Sequence, residues 1–467
     1  MNALNKEILR LAIPSILAGL TVPLVGMVDI AVAGHLGASG AVPAATLIGG
    51  ISIGTMLFDM LYWNFGFLRG GTGGLTAQAF GRWRSGIPEA VRDIVLTLKR
   101  ALGIALGSGL LLVALQWVVV QVAFLLVDCS PEVQKLATQY FYIRIWAAPA
   151  TLSLFAFKGW FIGMQDTVRP MTCDLIVNFT NILLSVGLAF GYAGLPALGF
   201  AGVAYGTLIA QWTGFTYAAL AVWRRYGRLF REAGDSFASL GMTEGTGNGS
   251  WRAFFVLNRD LFIRSMCMIA VYIGFTMISA RYGDMMLAVG AILMKLLMIF
   301  SYFTDGFAYA GEALTGRFIG EGSPEGVRTT VRQTFLWSIG VTFLFFLVYG
   351  VGGVPLLKLM TSDPDVVESA REFIPWLLLM PVIGCPAFTW DGIFTGATAS
   401  RDLRNSTAWC VVGFFGVWFI GIGLARALLG TVSETLAIHI LMAAYFTHLA
   451  VRALYLTLRA RKAIPSA

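Results

Sequence analysis

The sequence predicts an all-α polytopic membrane protein, a duplicated bundle of about twelve transmembrane helices. Three observations predict it. The chain is 57% hydrophobic and only 12% charged, with a mean hydropathy of +0.76, whereas soluble domains are about 25% charged. Its apolar residues gather into runs of the roughly 20 residues that a helix needs to cross ~30 Å of hydrocarbon. The stretch Leu75-Thr-Ala-Gln-Ala-Phe-Gly81 returns in the second half as Leu314-Thr-Gly-Arg-Phe-Ile-Gly320, each copy after a long apolar run. A twofold repeat in a membrane protein implies two bundles moving around a central cavity, which points to transport over catalysis.

The first span, 14–36, follows Lys6 and Arg10 but is no secretory signal: no small-residue cleavage site closes a short apolar core, and Asp29 lies deep inside the run. It is therefore expected to stay in the mature protein. Pro14 and Pro23 interrupt it. Each frees a backbone carbonyl that must find another partner, which suits a helix able to bend when Asp29 changes its contacts. The second span, 44–68, carries Asp59, and the third covers 95–127. The fourth, 141–163, contains Arg144 and Lys158, the latter placed to snorkel to the interface; the fifth, 175–191, begins beside Asp174, and the sixth covers 200–222.

The longest polar interval follows, from Arg224 to Ser250, and its second part is rich in Gly and Ser. That composition reads as a flexible cord, setting expected boundaries of 1–226, 227–250 and 251–467. The seventh span, 261–280, opens on Asp260 and Arg264, an i,i+4 ion pair by spacing. The eighth, 287–314, carries Lys295, Asp305 and Glu312; the ninth is 335–354; the tenth, 373–396, carries Asp391; the eleventh is 408–428; and the twelfth, 435–456, carries His439 and His448.

The net charge of +8 is sorted by loop, not spread over a surface. Alternate connections take nearly all the arginines, among them Arg69, Arg82, Arg84, Arg169, Arg224, Arg225, Arg328, Arg401 and Arg459. The opposite set holds Lys135, Arg281, Lys358, Arg371 and Arg426, mostly diluted by acids. By the positive-inside rule the first set and both termini face the cytoplasm, so the charge reports orientation in a lipid bilayer and not a nucleic-acid partner. The five cysteines are scattered without CxxC spacing, which reads as free thiols and no metal site. Neither HExxH, GxSxG nor a Walker A pattern occurs, and His439 and His448 fall on opposite helix faces, so no catalytic residues and no cofactor are assigned.

What remains is a sparse set of charges at membrane depth, each expensive enough to need a reason. Asp29 stands roughly 25 Å along the first span and has no basic residue at helical spacing. A carboxyl there is costly to keep charged, so it can take and release a proton. Asp305 and Glu312, nearly two turns apart, point the same way. Glu312 reads as a solvated end charge near Arg317; Asp305 is deeper, at a depth where Asp391 could face it. Lys295 is about 15 Å from Asp305 along its helix, so its partner must come from another helix.

Specific strings then resemble a known family. Ala12-Ile13-Pro14, Val28-Asp29 and Gly34-His35-Leu36-Gly37 are similar to the first helix of multidrug and toxic compound extrusion (MATE) transporters, and Asn64-Phe65-Gly66-Phe67-Leu68-Arg69 to its DinF-like branch. Gly159-Trp-Phe-Ile-Gly163 with Gln165-Asp166-Thr167, Asn258-Arg259-Asp260, Asp305-Gly-Phe-Ala-Tyr-Ala, and Asp391-Gly392 with Gly396-Ala397-Thr398 continue the resemblance along nearly the whole chain. It implies a MATE-type fold of two six-helix lobes with a substrate cavity between them. It also implies export of small amphipathic, often cationic, compounds by a monomer in a bacterial inner membrane, in exchange for H⁺ or Na⁺. The family's ion site falls on Asp29, Asn181 and Thr207. Four residues after Asn181, where many members carry a second acid, this chain has Ser185. That departure favours H⁺ over Na⁺ as coupling ion. A flippase for lipid-linked substrates shares the architecture but would need more basic lining than Arg144, Lys158 and Lys295 provide.

Overall fold

The computed structural model of the protein describes residues 3–39, 42–126, 129–239, 251–360 and 364–464, and every regular element among them is helical. Hydrocarbon offers the backbone no hydrogen-bond partner, so long apolar runs must form the structure that satisfies its own N–H and C=O groups. Among the described residues, eleven helical stretches are long and apolar enough to cross a membrane. The remaining expected span, 200–222, is also continuous helix. Gln211, Trp212, Thr213, Thr216 and Tyr217 make it less apolar than the others.

By internal packing the chain divides into two units, Leu17–Ser250 on the one hand and Met1–Ile16 with Trp251–Ala467 on the other. The first contains most of α1 (Ala3–Ser39), then α2 (Ala44–Trp63), α3 (Gly66–Arg84), α4 (Ala90–Ala114), α5 (Gln116–Leu126), α6 (Pro131–Arg144), α7 (Ala148–Gly163), α8 (Val168–Phe190) and α9 (Phe200–Ser239). The expected fourth span is broken between α6 and α7 by a single 3₁₀ turn, Ile145–Ala147. Proline is the cause: Pro149 has no N–H to give the Ile145 carbonyl, which accepts that of Ala148 instead. One end of α7 joins a core around Phe58, Phe141 and Phe200. Its other end, with Phe157, Trp160 and Phe161, joins a second core against α4 and α9, where the Trp160 indole donates to the Ile94 carbonyl at 3.1 Å.

The interval expected to be a cord from residue 227 is helical as far as Ser239. Leu229 and Ala233 are buried in the α7 core, so an amphipathic face extends α9 beyond the last membrane-depth residues. Residues 240–250 of that cord lie outside the described residues.

The second unit contains α10 (Trp251–Ala280), α11 (Gly283–Gly320), α12 (Pro324–Met360), α13 (Pro364–Arg371), α14 (Ile374–Gly396), α15 (Ser400–Leu429) and α16 (Glu434–Ala463) around one core that includes Phe300, Phe373, Leu377 and Phe414. The first turns of α1 belong to it: Glu7 pairs with Arg317 at 3.2 Å, the Trp337 indole donates to Asn5 at 3.4 Å, and Gly306 leaves room for Ile16.

The sequence duplication is repeated in the packing. On α7, Gly159 and Gly163 lie against the backbone carbonyls of Arg69 and Gly73 on α3 so closely that a Cβ at either would overlap them. On α14, Gly392 and Gly396 do the same against Ala308 and Glu312 on α11. Small residues four apart share a helix face and let backbones approach, the usual device for packing helices in lipid. Both helices then end in a turn through a left-handed residue, Gln165 (φ 59°) and Thr398 (φ 55°).

Candidate functional site

Two helices build the polar centre of the first unit. Gly202 and Gly206 on α9 approach the α8 backbone at Leu188 and Ser185, where a Cβ at Gly206 would come within 2.6 Å of the Ser185 nitrogen. This close contact sets polar side chains of one helix against those of the other. Asn181 donates to Thr207 Oγ1 at 2.8 Å, Thr207 donates to the Val203 carbonyl at 3.2 Å, and Ser185 reaches the same carbonyl at 3.5 Å. From α1, Asp29 comes close to the Ser185 side chain. A further tie runs between these helices, from the Asn178 amide to Thr21 Oγ1 at 2.6 Å. Asp29, Asn181, Ser185 and Thr207 are all buried, with 6, 2, 0 and 5% of their surface exposed. Asp29 Oδ1 and Asn181 Oδ1 accept no hydrogen bond. The structure thus brings together all four residues that the sequence singled out.

Asp29 is not isolated. Arg144, at the end of α6 beside the 3₁₀ break, lies within electrostatic range of Asp29 and also of Asp59 on α2. Its guanidinium donates to the Tyr140 hydroxyl at 3.0 Å and lies 4.7 Å from the Phe58 ring centroid. Helical spacing within the first span could not reveal this neighbour, because Arg144 arrives from another helix.

The second unit corrects several pairings. Asp260 and Arg264 do not pair; Asp260, fully buried, binds Arg404 at 2.8 Å, Arg259 at 3.3 Å and the Ser400 hydroxyl at 3.2 Å. Arg264 turns to Asp391 at 2.7 Å, which Arg452 of α16 also contacts at 3.2 Å. Asp391 is therefore held by arginines, while Asp305 accepts from Ser301 on its own helix at 3.3 Å. Glu312 is not a solvated end charge. It has no exposed surface, because α14 covers it through Gly396. Lys295 is exposed and has no ion pair among the described residues, so the expected partner on another helix is not found there. Lys158 forms an ion pair with Asp174.

Pro14 and Pro23 sit inside α1, which is continuous from Ala3 to Ser39. His439 accepts from the Trp376 indole at 3.0 Å, and His448 is buried with its Nδ1 against the Tyr445 carbonyl. Cys173, Cys385 and Cys410 are buried free thiols; Cys129 and Cys267 are free and half-buried.

Between α7 and α8, Asp166 gathers the Tyr226 hydroxyl of α9 at 2.9 Å and Arg225 at 3.3 Å. Burial, with the Asp166 carboxylate beside it, pushes the Tyr226 phenol above its usual range, so it remains a donor.

Known proteins share this architecture. The MatE family model matches residues 14–186 and again 261–429, once in each half. DNA damage-inducible protein F of Escherichia coli is 33% identical over 414 residues, covering 89% of this chain and 85% of that protein. The probable multidrug resistance protein NorM of Thermotoga maritima is 22% identical over 426 residues, covering 89% and 83%. The Vibrio cholerae MATE transporter VcmN in its bent form superposes with a TM-score of 0.80 at 18% identity, covering 99% of this chain and 98% of that one. A family model matched in both halves, and a relative one-third identical along most of the chain, make this protein a member of the MATE family of membrane transporters.

Proposed function

We propose that the protein exports small amphipathic organic compounds, cations among them, by alternating access of its two units, driven by H⁺ entering through Asp29. It would act as a monomer in a bacterial inner membrane with both termini in the cytoplasm. The observation that carries the coupling is the environment of the Asp29 carboxyl: buried, beside Ser185 where a second acid could have stood, and within electrostatic range of Arg144.

A Na⁺ ion would need several oxygens around Asp29. Asp29 Oδ1 and Asn181 Oδ1 accept no hydrogen bond, whereas Thr207 Oγ1 accepts from Asn181 and donates to Val203, so few free oxygens stand around the carboxyl. The fixed positive charge of Arg144 opposes a second cation there. A proton needs only the carboxyl. On binding it ends the attraction between Asp29 and Arg144, leaving the guanidinium to Tyr140, Phe58 and the charge of Asp59. Arg144 sits beside the 3₁₀ turn of a broken span, a place where a change of partner can alter the helix direction.

Proteoliposomes given either an imposed pH gradient or an imposed Na⁺ gradient, with membrane potential clamped, test the reading. Uphill substrate movement is expected with the pH gradient alone and is expected to vanish in Asp29→Asn, which keeps size and hydrogen bonding but cannot cycle a proton. Transport driven by Na⁺ after collapse of the pH gradient, or an Asp29→Asn protein that still pumps uphill, would refute it.

A further inference from the structure

We infer that the second unit contains a binding site for the anionic group of an amphipathic organic molecule, formed by Arg264 of α10 and Arg452 of α16 on either side of Asp391. This inference rests on the transport reading for the site's role but not for its occupancy. It widens the substrate class from the cations that family resemblance implies to compounds bearing a carboxylate or a chemically similar anion.

Two guanidinium groups share one carboxylate oxygen, Asp391 Oδ2, at 2.7 and 3.2 Å. Among the described residues neither arginine has another ion pair, so the cluster holds two positive charges against one negative. Arg452 is 1% exposed, and a guanidinium cannot shed its proton to escape the cost of burial. Its Nε and Nη2 have no hydrogen-bond partner, nor does Arg264 Nε; the single acceptor left over is Asp391 Oδ1. Unpaired donors thus outnumber the unpaired acceptor, and a planar anion could take two of them in the parallel manner that guanidinium favours.

The walls suit the rest of an amphipath. The Arg452 guanidinium lies 5.1 Å from the Phe388 ring centroid, and its Nη1 contacts the Met268 sulfur at 3.6 Å. The site is not sealed: the side chains of Arg264 and Asp391 remain 25% and 15% exposed, which leaves a way in from their side.

Equilibrium binding tests this independently of any ion gradient, so its failure and that of the transport reading are distinguishable. The full-length protein in phosphatidylcholine nanodiscs is titrated with pyrenebutyrate and with the uncharged pyrenebutanol, following pyrene fluorescence. The acid is expected to bind at least tenfold tighter than the alcohol. Arg264→Gln, which leaves Asp391 paired with Arg452, is expected to abolish that preference. Asp391→Asn, which releases both guanidiniums, is expected to strengthen binding of the acid about tenfold, the opposite of what loss of a merely structural contact would do. Phosphatidylglycerol in the nanodisc separates the sources of the anion: competition with pyrenebutyrate that disappears in Arg264→Gln assigns the site to a lipid headgroup, and its absence assigns it to a soluble amphipath. Equal affinity for acid and alcohol, a preference that survives in Arg264→Gln, or weakened acid binding in Asp391→Asn would overturn the inference.

Discussion

Asp260 carries no exposed surface, so its charge depends on Arg404, Arg259 and Ser400 for compensation. Removing one partner of a buried pair leaves the other uncompensated, at a cost of about 3–5 kcal/mol. Asp260→Asn is accordingly expected to lower the melting temperature of the purified protein well below that of Arg371→Gln, whose pairing with Glu368 is largely exposed. Equal melting temperatures would remove Asp260 from the framework. Ser185→Ala should keep H⁺ coupling while reducing the initial transport rate several-fold, because Asp29 retains its carboxyl but loses a polar neighbour that helps to position it. An unchanged rate under an imposed pH gradient would count against that role. At this scale the polar group of Asp29, Asn181, Ser185 and Thr207 was legible from depth along each helix and from family resemblance. The arginine partners were not. Arg264 and Asp391 are 127 positions apart and Arg404 and Asp260 are 144 apart, and no helical periodicity relates such residues.

Helix pairs obey a different logic, that of close backbone approach. Gly392 leaves no room for a methyl group against the Ala308 carbonyl, whereas Gly340 on α12 has open space where its Cβ would be. Gly392→Ala should therefore reduce yield and thermal stability by separating α14 from α11, and Gly340→Ala should be tolerated, with a small gain from helix propensity. Size-exclusion profiles of the two variants decide this; matching profiles would mean that the α11–α14 contact is loose. The glycine spacing at 159 and 163, and again at 392 and 396, is plain in the sequence, but spacing tells which residues share a face and not what that face meets. For the same reason α9 was expected to stop near Val222. Its continuation to Ser239 depends on a core able to receive Leu229 and Ala233, which only the packed helices supply.

For the molecule as a whole, composition and apolar runs of membrane-spanning length identify a helical membrane bundle, and the repeated Leu-Thr string indicates its duplication. The sorting of arginines makes a further statement, about orientation. In a Cys129→Ser background, a membrane-impermeant thiol reagent added outside intact cells should label Ala193→Cys, in the connection between α8 and α9. It should miss Glu325→Cys, at the start of α12 on the arginine-rich side; both positions are exposed. Labelling of Glu325→Cys from outside would invert the topology.

The opening turns of α1 also bear on how the chain can be assembled. Residues up to Ile16 pack with the unit whose remaining helices begin at Trp251, so a ribosome makes this segment long before its partners. Until α11 and α12 have been inserted, Glu7 has no Arg317 to meet and Asn5 no Trp337. A gene cut within residues 240–250 would therefore yield two fragments that are not self-sufficient: the earlier holds a piece of the later one's interior, and the later lacks the helix that Gly306 is shaped to receive. Co-expressed, the fragments should complement each other, with the leading residues acting as the clasp; expressed alone, the second should be cleared by membrane proteases.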